Sequence, residues 1–504
     1  MDFILKFNLA DLLTWEILFA IVFGVLFGIV VGAIPGLGAT IGLALVLPIT
    51  FNMTSLGSIV LLASVFMGCE YGGSVSAILM GIPGTGAATA TILDGYPMAK
   101  QGRPGTALGY SLVGALIGGV ISVLALMILS KPIASLALKF SDPEFFLLGI
   151  IGLLAVAGLS SKDIFKSVIS VCIGLLMSMV GIDILTGQTR FTFGTVHLMD
   201  GLHLVALFVG MFAVSEVFAM LGNDPHTKYV HDKKNFKVAI SWKEFTAVKW
   251  TYLKGSIIGT IIGILPGVGS SAASWLAYTE AKSTAKNKEN FGKGDPRGIA
   301  APETANNAVV GGALIPLVTL GIPGSAATAV ILGAFLIHGI VPGPASFANQ
   351  PGLMYGIFWG LLFATIIMYF LGRYTTSLMA RILVLPLYVL TPIVLYISLI
   401  GVFASELNVF HLWVAIIAGI AAFFLKNLDF SLPSMVLAYI LGPIIEESLR
   451  RTLVISKGSV GIFFTRPASI ALMALIVIFI AVIAYQRIKA AKKPVQKDLH
   501  SSNI

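Results

Sequence analysis

Long apolar runs alternate with short polar ones along the chain, and many of the apolar runs approach the length of a bilayer crossing. Ile17 to Val31, Ala107 to Leu129, Phe145 to Leu159, Phe165 to Ile182, Leu204 to Leu221, Met354 to Leu371, Leu412 to Leu425 and Ala468 to Tyr485 carry almost no charge. At about 20 residues per crossing, with flanking residues completing the shorter runs, the pattern predicts an all-α polytopic membrane protein of roughly ten to twelve transmembrane segments.

Inside this pattern a pair of Pro-Gly interruptions occurs twice. Ala33-Ile34-Pro35-Gly36-Leu37-Gly38 and Gly81-Ile82-Pro83-Gly84-Thr85-Gly86 return as Ile264-Leu265-Pro266-Gly267-Val268-Gly269 and Gly321-Ile322-Pro323-Gly324-Ser325. The offsets are close (266 − 35 = 231 and 323 − 83 = 240), so two halves carry the same interruptions in the same order. Pro35, Pro83, Pro266 and Pro323 are therefore expected to break helices. A break in an apolar segment strips backbone groups of their helical partners, which hydrocarbon tolerates only where protein or a water-filled cavity satisfies them. Paired broken helices in two halves point to the binding site of a transporter.

Composition agrees with a membrane protein. The 504 residues are 57% hydrophobic and 11% charged, with a mean hydropathy of +0.96, whereas a soluble globule is near a quarter charged. Asp2, Asp11 and Glu16 outweigh Lys6 at the start and no small-residue cleavage site follows, so the first apolar run is expected to stay rather than be cleaved. Cys69 and Cys172 lack metal-ligand spacing and read as buried, inert thiols. The net charge of +9 lies in loops and the tail, which fits membrane topology rather than nucleic acid.

The placement of that charge sets the expected orientation. Arg487, Lys489, Lys492, Lys493 and Lys497 predict a cytoplasmic C-terminus, and Lys228 to Lys254 make the central polar connection cytoplasmic as well. The expected division is residues 1–222 as a first membrane half, 223–254 as a basic linker, 255–486 as a second half and 487–504 as a basic tail. Lys254 on one side and Lys282 to Arg297 on the other put both flanks of the Pro266 break in the cytoplasm, so that segment reads as a re-entrant hairpin. Around Pro35 the flanks are uncharged or acidic, and after the second break the bias reverses: Lys100 and Arg103 follow Pro83, while residues 342–351 are uncharged after Pro323. This is the charge signature of two inverted-topology repeats, each with a re-entrant hairpin and a Pro-Gly-broken helix. Parallel repeats with a weak charge bias are the alternative.

Small and hydroxylic residues follow every break and open a helix. Helix starts expose unpaired amides at the positive end of the dipole, and hydroxyls add donors, so these positions suit an anion. Unwound carbonyls suit sodium. The substrate-binding candidates are Gly36, Gly38, Thr40, Gly84, Thr85, Thr89, Gly267, Gly269, Ser270, Ser271, Asn306, Asn307, Gly324, Ser325 and Thr328. Close helix packing by Gly, Ala and Ser is the competing explanation for the same residues. Glu70, Tyr71, Ser74 and Glu303 are the cation-coupling candidates, because an ionisable group at membrane depth is costly. Glu70 lies 13 residues before Pro83 and Glu303 lies 20 before Pro323 (83 − 70 = 13, 323 − 303 = 20), so the two acids are not strict counterparts. Asp94 lies too near an interface to assign, and Glu216 and Asp183 are weaker candidates. No catalytic set, cofactor or resident metal is expected, with Na+ entering only as a coupling ion.

Glu70-Tyr71-Gly72-Gly73-Ser74, Ile82-Pro83-Gly84-Thr85, Asp94-Gly95-Tyr96-Pro97, Gly32-Ala33-Ile34-Pro35-Gly36 and Gly311 to Ser325 together resemble the large membrane subunit of tripartite tricarboxylate transporters, the TctA family, along nearly the whole chain. The resemblance implies a bacterial inner-membrane importer of citrate-like di- or tricarboxylates. Its partners would be a small TctB-like membrane subunit and a periplasmic TctC-like solute-binding protein. Gly86 departs from the proline expected there and leaves substrate choice open. Moving a trianion inward against 100 mV costs about 7 kcal/mol, at about 2.3 kcal/mol per charge. With no Walker-type loop in the chain, Na+ or H+ symport is the expected source. A stand-alone carboxylate symporter needing no binding protein is the alternative. A channel does not need two inverted sites, and the absence of HExxH or Ser-His-Asp patterns argues against an enzyme.

Overall fold

The computed structural model describes residues 12–159, 164–183, 185–221, 237–382 and 387–491. It is all-α apart from a two-residue antiparallel ladder that pairs Gly181 with Arg190 and Ile182 with Thr189. Seven helices among the described residues are long and apolar enough to cross a membrane: Trp15–Ala33, Ser55–Met80, Pro104–Ala137, Leu204–Leu221, Pro351–Thr376, Val409–Asn427 and Leu432–Ile455. Shorter apolar helical stretches are Gly38–Asn52, Ile164–Ser178, Ala326–Ile337, Thr391–Ser405 and Pro467–Ala481, of which the last two lie within the helices Leu387–Glu406 and Pro467–Ala491. Of the expected runs, Phe145 to Leu159, Phe165 to Ile182 and Ala468 to Tyr485 are not among the seven. The apolar run Phe165 to Ile182 also overshoots its helix, which stops at Ser178 because Gly181, at φ 123°, turns the chain into the small ladder.

Local chemistry fixes the helix ends. Thr54 caps Ser55–Met80 by accepting the Gly57 N–H at 3.2 Å, and Ser241 with Glu244 forms a capping box that starts Trp242–Ile264. That helix therefore begins within the stretch 223–254 expected as linker, of which residues 223–236 lie outside the described residues, as does most of the basic tail.

The core is a set of close helix pairs built on small residues. Trp15–Ala33 packs along Ser55–Met80, and Trp242–Ile264 along Arg297–Leu320. A Cβ added to Gly28 would come within 2.5 Å of the Val65 carbonyl oxygen, and one at Gly32 within 2.2 Å of that of Cys69. In the second pair a Cβ at Gly259 would come within 2.2 Å of the Ala305 oxygen. Such backbone-to-backbone approach is what small residues provide inside membranes. The long helix Pro104–Ala137 packs on Arg297–Leu320, while Pro351–Ile382 packs on Ser55–Met80. Asp94 adds a polar clamp: its Oδ1 accepts the N–H groups of Gly292, Gly294 and Asp295, and its Oδ2 accepts the Tyr278 hydroxyl at 3.0 Å. Asp94, left unassigned from sequence, thus ties the Thr89–Lys100 helix to the loop before Arg297. Of the two cysteines, Cys69 is buried as expected but Cys172 is exposed, because only small residues of its helix, Ser167, Ser170 and Gly174, are buried.

Candidate functional site

Each Pro-Gly motif coincides with a helix interruption. Trp15–Ala33 ends at Ile34 and helix resumes at Gly38, while Trp242–Ile264 ends at Leu265 and resumes at Gly269. Ser55–Met80 ends on Gly81 at φ 71°, ψ 16°, and Arg297–Leu320 ends on Gly321 at φ 72°, ψ 16°. These left-handed caps favour glycine. Beyond them Thr85 and Ser325 stand in extended conformation immediately before the next helical turn.

All the interruptions meet at one cavity of about 480 Å³, within the range of small-molecule sites. Gly36, Gly38 and Thr40 line it from the first, Thr85 and Gly86 from the second, Gly269, Ser270 and Ser271 from the third, and Ser325 from the fourth. Gly86 sits so close to the third break that a Cβ there would lie 2.8 Å from the Ser271 hydroxyl. The remaining predicted residues stand behind this lining. Gly84 is wedged against the Gly32 carbonyl, 2.0 Å from an added Cβ. The Gly267 N–H donates to the Gly324 oxygen at 2.9 Å. Thr89 accepts the Trp275 indole N–H at 3.0 Å. Thr328 shares a capping box with Ser325, its own hydroxyl accepting the Ser325 N–H at 2.8 Å.

The acids form two buried stations. Glu70 lines the cavity and is only 4% exposed; its Oε1 accepts the Ser270 hydroxyl at 3.4 Å, and the Asn306 amide donates to its backbone oxygen at 3.0 Å. Glu70 Oε2, Thr85 Oγ1, Asn306 Oδ1 and Asn307 Oδ1 are buried without a hydrogen-bond partner. Glu303 is fully buried away from the cavity. It accepts the hydroxyls of Thr91 and, at 2.9 Å, Ser111, which in turn lies 2.7 Å from the Ser74 hydroxyl. The Tyr71 hydroxyl lies 2.9 Å from that of Thr376. Neither acid has an ion-pair partner among the described residues.

A further wall comes from helices outside the matched breaks. Met211, Phe212, Ser215 and Glu216 contribute from a π-helical turn and the turn after it, and Lys426, with residues 430–433, from the junction between Val409–Asn427 and Leu432–Ile455. Lys426 Nζ stands 2.5 Å from Glu216 Oε2. From the sequence Glu216 is a weak candidate and Lys426 is not among the candidates. The signal available was one acid inside the apolar run Leu204 to Leu221 and one base at the end of Leu412 to Leu425, since charges at membrane depth pair with one another.

Membrane-length helices interrupted around a shared polar cavity define a multi-pass membrane protein of transporter type. Residues 18–437 match the model of the tripartite tricarboxylate transporter TctA family, and the chain belongs to that family. It is accordingly a transporter and not an enzyme, and membership implies a tripartite system with TctB-like and TctC-like partners and is consistent with a bacterial inner membrane. The chain is 38% identical over 464 residues, 92% of each chain, to an uncharacterized 52.8 kDa protein of the TAR-I ttuC′ 3′ region of Agrobacterium vitis. It is also 36% identical over 217 residues to an uncharacterized protein of the TAR-II ttuC′ 3′ region of the same organism, covering 43% of this chain and 90% of that one. No solved structure matches the chain.

Proposed function

We propose that this chain is the permease subunit that moves di- or tricarboxylates inward by Na+ or H+ symport, receiving them from a solute-binding protein. The observation that carries this reading is the convergence of the Pro-Gly interruptions on one cavity that also holds Glu70. Helix starts at Gly38, Gly86, Gly269 and Ala326 supply amide donors for an anion. The unpartnered oxygens of Glu70, Thr85, Asn306 and Asn307 are acceptors without donors, an arrangement that costs energy when dry and suits a cation. Glu303, Tyr71 and Ser74 form the layer behind, where a carboxylate supplied only by hydroxyls is a second place to bind a proton.

The two halves are read as inverted repeats, with the Pro35 and Pro266 segments as hairpins entering from opposite faces. Cysteine placed at the exposed positions Asn52 and Lys286, in a Cys172→Ala background, should label from opposite sides of the membrane. Labelling of both from one side ends the inverted arrangement.

Transport is tested with labelled citrate and proteoliposomes containing this chain and its small partner, with and without the binding protein, under imposed sodium and proton gradients. Uptake requiring the binding protein and one gradient supports the proposal and identifies the ion. Gradient-driven uptake without the binding protein favours a stand-alone carrier, and absence of uptake for every di- and tricarboxylate offered overturns the substrate class.

A further inference from the structure

We infer that Lys426 is the ammonium that grips a carboxylate of the bound substrate, and that its partner Glu216 gives way to that carboxylate. The inference rests on the carboxylate reading above and assigns a residue that the duplicated breaks do not contain. Among the residues lining the cavity Lys426 is the one basic side chain, and it shares that lining with two acids, Glu70 and Glu216. Its side chain is 48% exposed, whereas that of Glu216 is 11% exposed, so the lysine is the partner that a solute can reach. An ammonium carries three donors, and Glu216 is the acceptor that engages one of them, at 2.5 Å.

Glu216 is placed to respond. It rides on the turn that follows the π-helical segment Val209–Val214. Its other oxygen lies 3.2 Å from where a Cβ of Gly36 would stand, against the tip of the first interruption. The pair therefore bridges Leu204–Leu221 and Val409–Asn427 beside that tip. When a substrate carboxylate takes the ammonium, Glu216 loses its partner next to Gly36, and site occupancy is felt at the break. A purely structural role for Lys426, as a cation complementing the C-terminal end of its helix and tied to Glu216, makes a different prediction, because both members would then matter equally.

Citrate, succinate and acetate binding to the purified protein in lipid nanodiscs, measured by calorimetry at fixed sodium, separates these cases, with the thermal midpoint followed in parallel. Lys426→Met should weaken citrate binding by about tenfold or more, the scale of a lost charged hydrogen bond, and Lys426→Arg should recover most of it. Glu216→Gln should tighten citrate binding, because it removes the competitor. Weakening by both Lys426→Met and Glu216→Gln, or unchanged binding in Lys426→Met, overturns the inference. Should Lys426→Met fail to fold, the Glu216→Gln result decides by its direction: tighter binding supports the exchange, and equal or weaker binding overturns it. Wild-type protein that binds none of the carboxylates overturns the substrate reading itself, an outcome distinct from any change between variants.

Discussion

The two long interrupted helices, Ser55–Met80 and Arg297–Leu320, have the same backbone and different chemistry. Gly81 and Gly321 adopt nearly identical dihedral angles, and the glycines that let each helix meet its neighbour recur at matching positions. Gly72 lies against the Ile29 oxygen and Gly312 against that of Thr260, while Gly84 faces Gly32 and Gly324 faces Gly263. The polar residues do not follow. At the spacing that matches Gly81 to Gly321 (321 − 81 = 240), Glu70 corresponds to Val310, and Glu303 to Ala63. Thr85 keeps a buried hydroxyl without a partner, while its counterpart Ser325 spends its hydroxyl on the Thr328 N–H as a helix cap. The two helices share what makes an interrupted helix pack and differ in the polar residues they carry.

If that division is correct, the largest effect belongs to Glu70. Glu70→Gln should cut the affinity for the coupling cation by about 10- to 100-fold, the scale of a lost charge-assisted contact, whereas Val310→Ala at the counterpart position should leave it near wild type. The cation dependence of uptake measures both, and equal losses would mean that the halves share the site symmetrically. Next come the glycines. Gly84→Ala places a Cβ 2.0 Å from the Gly32 oxygen, and Gly324→Ala places one 3.0 Å from the Gly263 oxygen. The first should cost about 1–3 kcal/mol of stability by overpacking and the second clearly less, read as thermal midpoints in detergent. Thr85→Val and Ser325→Ala then invert the order of stability and transport. Thr85→Val should lower uptake with little change in melting, because no structural hydrogen bond is lost, while Ser325→Ala should lower stability by about 1 kcal/mol through the lost cap. Normal uptake in Thr85→Val would assign the Pro83 break to packing alone.

The helix interruptions were legible in the sequence because Pro-Gly in an apolar run has few other uses, and because the motifs recur in order. The positions that face the cavity were legible for the same reason: Gly36, Gly38, Thr40, Thr85, Ser270 and Ser271 all line it. Gly84, Gly267 and Gly324 share the motifs but serve the close approach of backbones, and composition does not separate the two uses. The pairing of Glu216 with Lys426 was only faintly legible, as one acid and one base at two apolar runs, since the two lie 210 residues apart and no motif or repeat links them. Asp94 and its cradle of three amides are a similar case. A single acid beside Gly95-Tyr96-Pro97 says nothing of a loop some 200 residues away that closes over it.

The smallest effect expected lies outside the compared helices and serves as their control. Arg450 donates to Asp183 Oδ2 at 2.7 Å and to Glu446 Oε1 at 3.1 Å, and Arg190 joins both acids, tying the small ladder to Leu432–Ile455. The Arg450 guanidinium, helped by the N–H groups of Thr186 and Leu185, holds the Asp183 carboxyl well below the usual carboxylate range. A carboxyl depressed in the folded state contributes stability above its unfolded value of about 3.9, and that contribution is lost as the pH falls through the folded value. Asp183→Asn should therefore lower the thermal midpoint by a constant amount from pH 8 to about pH 5, with the gap to wild type closing below about pH 4. Cation affinity should stay unchanged, because neither Glu70 nor the breaks touch this network. A shift in cation affinity would mean that the two halves are coupled through the ladder, and the chemical division between them would then have to include this network.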